Sequence, residues 1–276
     1  MELSTQQKKF FEQFGYLHFP GLLNDSINSI IDEFETVWAK CQTVKHTGEQ
    51  RTMFPGNFIC QTPKLCALMD DPRIKGMCEG VMGADYQYAG GDGNFYSGDT
   101  HWHSDLMPKC GFYKHCMHIK IAFYLDPVTR DTGALRVIPG SHIPGARFSD
   151  TMQEFLSSSG LAGKDVPASA LETKPGDVVL FTHNLKHASF GGSKRRRMFV
   201  MNMQAYPHTP GAHAEVKAEW SYYASVGVKK MHSGLIMDTA SPERLKHLQP
   251  LCDLVQPILD EFHAKKAAET LQPAQA

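Results

Sequence analysis

The middle of the chain consists of short apolar segments separated by glycine, proline and aspartate, and this pattern limits the fold more than any other feature. The segments are 86–89, 118–125, 134–138, 177–181 and 198–203. Apolar runs of this length between turn-forming residues are typical of β-strands, because a helix needs a longer periodic stretch. Several such strands at close spacing predict a barrel or a sandwich.

Helical patterns flank this region on both sides. Residues 5–15 and the stretch after Asn24 carry apolar side chains at helical spacing. A further helix is predicted around 64–82, and another starts at Ser241, which can cap it.

The chain is long enough for one large domain. It has 276 residues, and barrels and sandwiches often reach roughly 200–250 residues as one domain. We expect one domain over 1–264 that is mainly β with flanking helices, followed by a disordered tail at 265–276.

The charge balance excludes some classes of partner. Lys plus Arg is 28 and Asp plus Glu is 29, so there is no overall basic field to attract nucleic acid or an anionic membrane. The start of the sequence has no secretory pattern, and about 18 consecutive apolar residues occur nowhere. We expect a cytoplasmic protein with a small-molecule partner. The sequence does not indicate the oligomeric state.

The cysteines do not predict a metal or redox site. There are seven, an odd number, and none forms a Cys-x-x-Cys pair. Cys110 and Cys116, with His115 and His118 nearby, do not have the spacing of a zinc knuckle. We interpret all seven as reduced thiols.

Two separate segments predict a different metal centre. His103 and Asp105 lie two residues apart, and His187 follows far downstream. Residues two apart on a strand point to the same side, so the first pair can meet a remote histidine around one ion. Two imidazoles and one carboxylate can hold Fe(II) and leave coordination positions open. A His-x-Asp tripeptide alone is a weak signal, and a solvated turn is the plain alternative.

The surrounding motifs make the signal specific. His103-Ser104-Asp105 is followed by Gly133-Ala134-Leu135, by Pro139-Gly140-Ser141-His142, by Pro175-Gly176-Asp177 and by His187-Ala188-Ser189. This ordered set resembles the phytanoyl-CoA dioxygenase family over about the first three quarters of the chain. The resemblance implies a double-stranded β-helix, a cupin-like jelly roll, and the use of Fe(II), 2-oxoglutarate and dioxygen.

The resemblance also implies the metal ligands. His103 and Asp105 match the proximal pair, and His187 matches the distal histidine because Ser189 stands two residues after it. Two alternatives are His101 in the proximal segment and His183 in the distal one.

The remote carboxylate of 2-oxoglutarate needs a cation inside the barrel. The family places an arginine after the distal histidine, where Arg196 is the first candidate and Arg197 the second. Because side chains alternate along a strand, only one of them can face inward. Ser189 matches a residue that assists at this carboxylate, and Asn94 and Tyr96 are weaker candidates.

The implied reaction is hydroxylation of a C–H bond in a small metabolite, with release of succinate and CO2. Asp105 fills the position that related halogenases leave open for chloride, which favours hydroxylation over halogenation. Desaturation or cyclisation by the same oxidant, a cupin-like binding protein without turnover, and a zinc hydrolase or isomerase are the alternatives.

The substrate is less constrained. Lys109, His115, Lys120 and Arg136 lie on segments that can line the mouth of the barrel, and a cationic lining would suit an anionic metabolite. The plain alternative is that these side chains extend along the surface.

Overall fold

The computed structural model describes residues 1–105, 113–192, 194–232 and 234–271, with side chains to residue 268. The α-helices are α1 (Thr5–Phe14), α2 (Ile27–Lys40), α3 (Pro63–Cys66), α4 (Pro72–Met82), α5 (Arg147–Ser158), α6 (Pro210–Ser225), α7 (Gly234–Asp238), α8 (Pro242–Leu245) and α9 (Gln249–Leu271). Short 3-10 helices span Phe58–Gln61, Ala67–Asp70 and Gly163–Asp165.

The β-strands are β1 (Tyr16–Phe19), β2 (Thr52–Met53), β3 (Gln87–Gly90), β4 (Gly93–Tyr96), β5 (Thr100–His103), β6 (His118–Tyr124), β7 (Leu135–Val137), β8 (Ser169–Leu171), β9 (Val178–Thr182), β10 (His187–Ser189) and β11 (Arg196–Gln204). The larger sheet has the order β1-β9-β6-β11-β4-β2, with β3 also paired to β11, and the smaller sheet has the order β5-β10-β7-β8. The strand pairs are antiparallel. The predicted sheets with flanking helices are confirmed, and the helices contain more residues than the strands.

Alternation along the central strands separates two apolar cores. On β11, Met198 and Val200 pack with inward residues of both sheets. Phe199, Met201 and Met203 lie on the opposite face, where they join the core formed with the N-terminal helices. Because successive side chains on a strand point to opposite faces, one apolar strand can serve both cores.

The helix predicted around 64–82 is interrupted. The chain forms α3, a 3-10 turn and then α4. Pro72 begins α4, and the Asp71 carboxylate accepts a hydrogen bond from the Arg73 amide at 2.8 Å. Proline removes an amide donor and suits the first turn of a helix, so it starts a new helix here.

The C-terminal helices form a separate apolar cluster. Trp220 of α6 and Leu251, Val255 and Leu259 of α9 are buried together. Helix α9 continues to Leu271, so it covers the first part of the segment from residue 265 where a disordered tail was expected. Lys265 and Glu261, one turn apart, form an ion pair at 2.7 Å that supports the helix. Residues 272–276 lie outside the described residues. No described helix is long and apolar enough to cross a membrane.

Candidate metal centre and cosubstrate pocket

The two predicted metal segments meet in the smaller sheet. His103 on β5 and His187 on β10 are direct cross-strand partners, and their ring centroids lie 4.2 Å apart. The amide of Asp105, just after β5, donates to the His183 carbonyl at 2.9 Å. Strand pairing and this bond therefore bring the three side chains together.

The three side chains have the spacing of a metal-binding group. Asp105 Oδ1 is 3.7 Å from His103 Nε2, and Asp105 Oδ2 is 3.5 Å from His187 Nε2. All three ligand atoms lie within 4.8 Å of one another. Two bonds of about 2.0–2.2 Å from one ion reach up to about 4.4 Å, which covers the two separations between the carboxylate and the imidazoles. Two imidazole nitrogens and one carboxylate are also the donor set that suits Fe(II).

Main-chain carbonyls orient both imidazoles. His103 Nδ1 lies 2.7 Å from the His101 carbonyl, and His187 Nδ1 lies 2.9 Å from the Leu185 carbonyl. A carbonyl can only accept a hydrogen bond, so each Nδ1 carries a proton, and in the neutral imidazole Nε2 then carries the lone pair that binds a metal. Burial lowers the pKa of His187 to about 4, which keeps this imidazole neutral near pH 7.

Asp105 is held in the ionised form that a metal ligand requires. Burial alone would raise the pKa of this carboxyl group, but the Lys120 ammonium outweighs burial and holds the pKa well below its ordinary value. Lys120 Nζ lies 2.8 Å from Asp105 Oδ2.

The alternative histidines do not join the group. His101 is exposed and contributes its carbonyl oxygen to the orientation of His103. His183 is buried, and burial lowers its pKa to about 3. Among the described residues, the metal-binding group consists of His103, Asp105 and His187.

The motif Pro139-Gly140-Ser141-His142 and the residue before it hold the main chain next to His187. Ser141 Oγ accepts a hydrogen bond from the Lys186 amide at 2.9 Å, and the Lys186 carbonyl accepts from the Ile138 amide at 3.0 Å. Both bonds fix the residue directly before His187. The motif therefore acts by orienting the strand that carries the ligand.

A cavity of about 220 Å³ lies between the two sheets beside the metal-binding group. The smaller sheet and its loops contribute Thr100, His103, Asp105, Gly133, Leu135, His187, Ala188 and Ser189, and the larger sheet and its loops contribute Arg51, Asp92, Tyr96, Lys120, Ala122, Tyr124, Phe181, Arg196, Met198 and Val200. The metal-binding side chains thus lie opposite a cationic wall.

Arg196 is a buried cation in this cavity. Its guanidinium donates to Ser189 Oγ at 3.4 Å and to the Thr132 carbonyl at 3.3 Å, and it lies 5.2 Å from the centre of the Tyr96 ring. Only 3% of Arg196 is exposed, and its Nε has no hydrogen-bond partner. No carboxylate of the described residues forms an ion pair with it. A buried cation of this kind needs an anion, which fits the remote carboxylate of 2-oxoglutarate.

Gly133 makes room for this guanidinium. A Cβ atom at Gly133 would lie 1.3 Å from Arg196 Nη1. The residue also has φ +97°, which side chains other than glycine rarely adopt. The glycine of the Gly-x-Leu motif is therefore required by the position of Arg196 and by the backbone.

Two of the predicted cofactor-binding residues do not line this cavity. Arg197 faces away from the cavity and pairs with Asp126 at 2.5 Å and with Glu35 at 2.9 Å, as alternation on β11 requires. Asn94 is buried but does not line the cavity, because its amide accepts from Arg51 at 2.8 Å and donates to Asp92. Asn94 therefore positions two residues that do.

The residues predicted to give the cavity a cationic lining also differ in whether they reach it. Lys120 lines the cavity. Arg136 is buried elsewhere and donates to the Lys164 carbonyl at 2.6 Å, and the His115 amide binds Glu215 at 3.2 Å outside the cavity. Lys109 lies outside the described residues.

Sequence reasoning missed Arg51, Asp92 and Tyr124 as cavity residues. Tyr124 was within reach, because it shares its face of β6 with Lys120 and Ala122 by simple alternation. Arg51 and Asp92 lie on turns before β2 and β4, and nothing in their local sequence indicates where they point.

The chain belongs to the phytanoyl-CoA dioxygenase (PhyH) family, whose model matches residues 11–198. It is therefore a non-haem iron dioxygenase that depends on 2-oxoglutarate and uses Fe(II), 2-oxoglutarate and dioxygen. The predictions of family, enzyme class and cofactors are confirmed.

Comparison with individual proteins gives one curated relative and several solved folds. A 2-aminoethylphosphonate dioxygenase from an uncultured bacterium is 26% identical over 71% of this chain and 80% of its own length. HygX from Streptomyces hygroscopicus, solved with nickel and 2-oxoglutarate, shares 15% identity over 74% of this chain and 88% of its own, with a TM-score of 0.58. EctD from S. alaskensis, solved in its apoform, shares 20% identity over 74% of this chain and 77% of its own, with a TM-score of 0.56. These two structures show a shared fold.

Proposed function

We propose that the chain hydroxylates a C–H bond of a small anionic metabolite while 2-oxoglutarate is converted to succinate and CO2. One observation carries this proposal: the His103–Asp105–His187 group and the buried Arg196, which lacks a carboxylate partner among the described residues, line the same cavity. We also propose that the two sheets around this cavity form a double-stranded β-helix, or jelly roll, within one domain over 1–264.

The residues divide the work in this proposal. His103 Nε2, His187 Nε2 and one Asp105 oxygen would hold the iron, and Arg196 with Ser189 would hold the remote carboxylate of 2-oxoglutarate. Iron bound in this way supplies the activation of dioxygen. Apolar side chains around the cavity, including Phe181 and Met198, exclude water from the reacting groups.

The proposed outcome is hydroxylation because Asp105 supplies the carboxylate ligand. Without a carboxylate at that position a chloride ion could bind the metal, and with it the position is filled. Desaturation and cyclisation use the same ligand set, so the product must be identified directly.

Two observations support an anionic substrate. Arg51 and Lys120 place cationic groups on the cavity wall, in addition to Arg196. The curated relative is named for 2-aminoethylphosphonate, a molecule with an anionic phosphonate group. We therefore propose phosphonates and carboxylates of similar size as the first compounds to test.

The test measures succinate in the presence of Fe(II), 2-oxoglutarate, ascorbate and oxygen against a panel of small phosphonates and carboxylates. We expect at least one compound to raise succinate release above the rate without substrate and to gain one oxygen atom by mass spectrometry. Asp105→Ala should reduce this release by at least about 100-fold, because it removes a ligand. Undiminished release in that variant would contradict the ligand assignment.

A control for this variant is Asp177→Ala. Asp177 accepts from the Gly21 amide at 2.7 Å and the Lys174 amide at 2.8 Å, and it is not part of the metal-binding group. The Asp177→Ala variant should be less stable, but the fraction of it that is folded should release succinate at the rate of the unaltered chain.

A further inference from the structure

Besides Arg196, four charged side chains line the cavity, and they form two ion pairs. Lys120 Nζ is 2.8 Å from Asp105 Oδ2, and Arg51 Nη2 is 3.0 Å from Asp92 Oδ2. Asp92 already has two polar partners, Arg51 and Asn94. Among the described residues, Asp105 is the one carboxylate that forms an ion pair with Lys120.

Lys120 and the metal need the same carboxylate. The side chain of Lys120 is 17% exposed, so water cannot replace a lost counter-ion well. When Asp105 binds a divalent cation, its negative charge is shared with two positive groups at short range. The ammonium and the metal then repel each other, and this repulsion is strong where solvent is excluded.

The position of Lys120 on the sheet allows its side chain to leave Asp105 for another anion. It lies on β6 opposite Asn202 of β11, and its neighbours on the same face, Ala122 and Tyr124, also line the cavity. Alternation therefore directs its long side chain into the space where a substrate must lie. Arg196 is placed to bind 2-oxoglutarate, and Arg51 is paired with Asp92. Lys120 is therefore left for a second anion.

Building on the proposed function, we propose that Lys120 is the counter-ion of Asp105 only while the metal is absent, and that metal binding transfers it to an anionic group of the primary substrate. The substrate is then a phosphonate or carboxylate whose anionic group lies next to the carbon that is oxidised. Lys120 also couples the two events, so that the metal must bind before this anion subsite opens.

The first experiment measures metal affinity and needs no turnover. In Lys120→Met, Asp105 loses its internal competitor, so Mn(II) should bind at least about tenfold more tightly at about pH 8 by titration calorimetry. Lys120→Arg should keep the affinity of the unaltered chain because it retains the charge. Lys64→Met, at a surface pair with Glu33, is the matched control for net charge and should change nothing.

Unchanged or weaker Mn(II) binding in a folded Lys120→Met protein would overturn the competition. Circular dichroism and thermal melting show whether the variant is folded. If methionine disrupts the cavity, Lys120→Gln provides the same loss of charge with a polar side chain and must show the same tighter binding.

The second experiment measures anion binding with methylphosphonate as the probe. In the presence of Mn(II) and 2-oxoglutarate, the paramagnetic ion should broaden the phosphorus resonance of methylphosphonate bound near it. Lys120→Met should weaken this binding at least about tenfold, while Lys120→Arg and Lys64→Met should retain it. Without Mn(II), calorimetry should show at least about tenfold weaker methylphosphonate binding to the unaltered chain, because Lys120 then pairs with Asp105.

Equal binding of methylphosphonate to the Lys120→Met and unaltered proteins would overturn the substrate role. Weaker binding of 2-oxoglutarate in that variant, with methylphosphonate unaffected, would instead assign Lys120 to the cosubstrate and also overturn the proposal. Neither experiment depends on succinate release by the unaltered chain, so the proposed function and this inference can fail separately.

Discussion

At the scale of the residue, the chemistry depends on groups that are kept in one ionisation state. His187 is neutral because burial lowers its pKa to about 4, whereas Asp105 is ionised because the Lys120 ammonium outweighs its burial. The neutral imidazole and the ionised carboxylate are only 3.5 Å apart, measured from His187 Nε2 to Asp105 Oδ2. A metal ligand set of this kind is therefore prepared by its surroundings before any ion binds.

Gly133 provides a sharp test of the cosubstrate pocket. In Gly133→Ala, the new Cβ would collide with Arg196 Nη1 at 1.3 Å, and the flexible guanidinium would have to move. We expect the KM for 2-oxoglutarate to rise at least about tenfold, because a displaced Arg196 would lose the two charge-assisted bonds that we propose it makes to the carboxylate. Steady-state succinate assays at varied 2-oxoglutarate measure this change.

Gly145→Ala is the matched control for Gly133→Ala. Gly145 also has a positive φ, +77°, but a Cβ there would meet no atom within 4 Å. Both variants should lose stability by about 1 kcal/mol or more from backbone strain, and only Gly133→Ala should change the KM. An equal KM in the two variants would mean that Gly133 serves the backbone alone.

At the scale of the element, the sequence predicted what periodicity encodes and missed what depends on distant contacts. The apolar segments matched β3, β6, β7, β9 and β11 in type, because a buried strand needs a short apolar run whatever it pairs with. The short strands β5 and β10, which carry the histidines, were found through motifs instead.

Helix α6 was not predicted, and its composition explains why. Its buried apolar positions Ala212, Val216, Trp220 and Ala224 recur every four residues, but half of them are alanines and Glu219 is buried beside them. The opposite face carries Ala214, Ala218 and Tyr222. The apolar stripe is therefore diluted. The cavity residues Arg51 and Asp92 were missed for a related reason, because only the tertiary fold brings their loops to the metal-binding group.

Helix α6 also fixes the segment that leads into β6. The Glu215 carboxylate accepts hydrogen bonds from the amides of Lys114 at 2.8 Å, His115 at 3.2 Å and Cys116 at 3.0 Å. Glu215→Ala leaves these donors without that acceptor, so the free energy of unfolding should fall by about 1–3 kcal/mol in urea titrations.

Glu261→Ala is the control on a neighbouring helix, because its pair with Lys265 is exposed and should contribute little to stability. If the two variants lose the same stability, Glu215 does not anchor the segment. Glu215→Gln should fall between them because it keeps one strong acceptor.

At the scale of the whole molecule, several buried histidines make stability depend on pH. Burial lowers the pKa of His183 to about 3, of His187 to about 4 and of His232 to about 4. The unfolded chain binds these protons near pH 6.5 and the folded chain does not. Stability is therefore present above about pH 6.5 and is lost as pH falls toward about 4. His118 acts in the opposite direction, because the Glu219 carboxylate outweighs burial and raises its pKa.

His232 isolates this effect away from the metal centre. It is 7% exposed, stacks on Tyr88 with ring centroids 5.4 Å apart, and neither ring nitrogen has a hydrogen-bond partner. His232→Phe keeps the stacking and removes the titrating group. Between about pH 7 and about pH 5, the free energy of unfolding of the variant should therefore fall by about 2 kcal/mol less than that of the unaltered chain. Urea unfolding of the metal-free proteins across this range measures the difference.

His263→Phe is the control, because this half-buried histidine is hydrogen-bonded to the Val228 carbonyl at 2.8 Å and does not belong to the buried histidines. Parallel stability curves for His232→Phe and the unaltered chain would show that His232 is not buried in its neutral form.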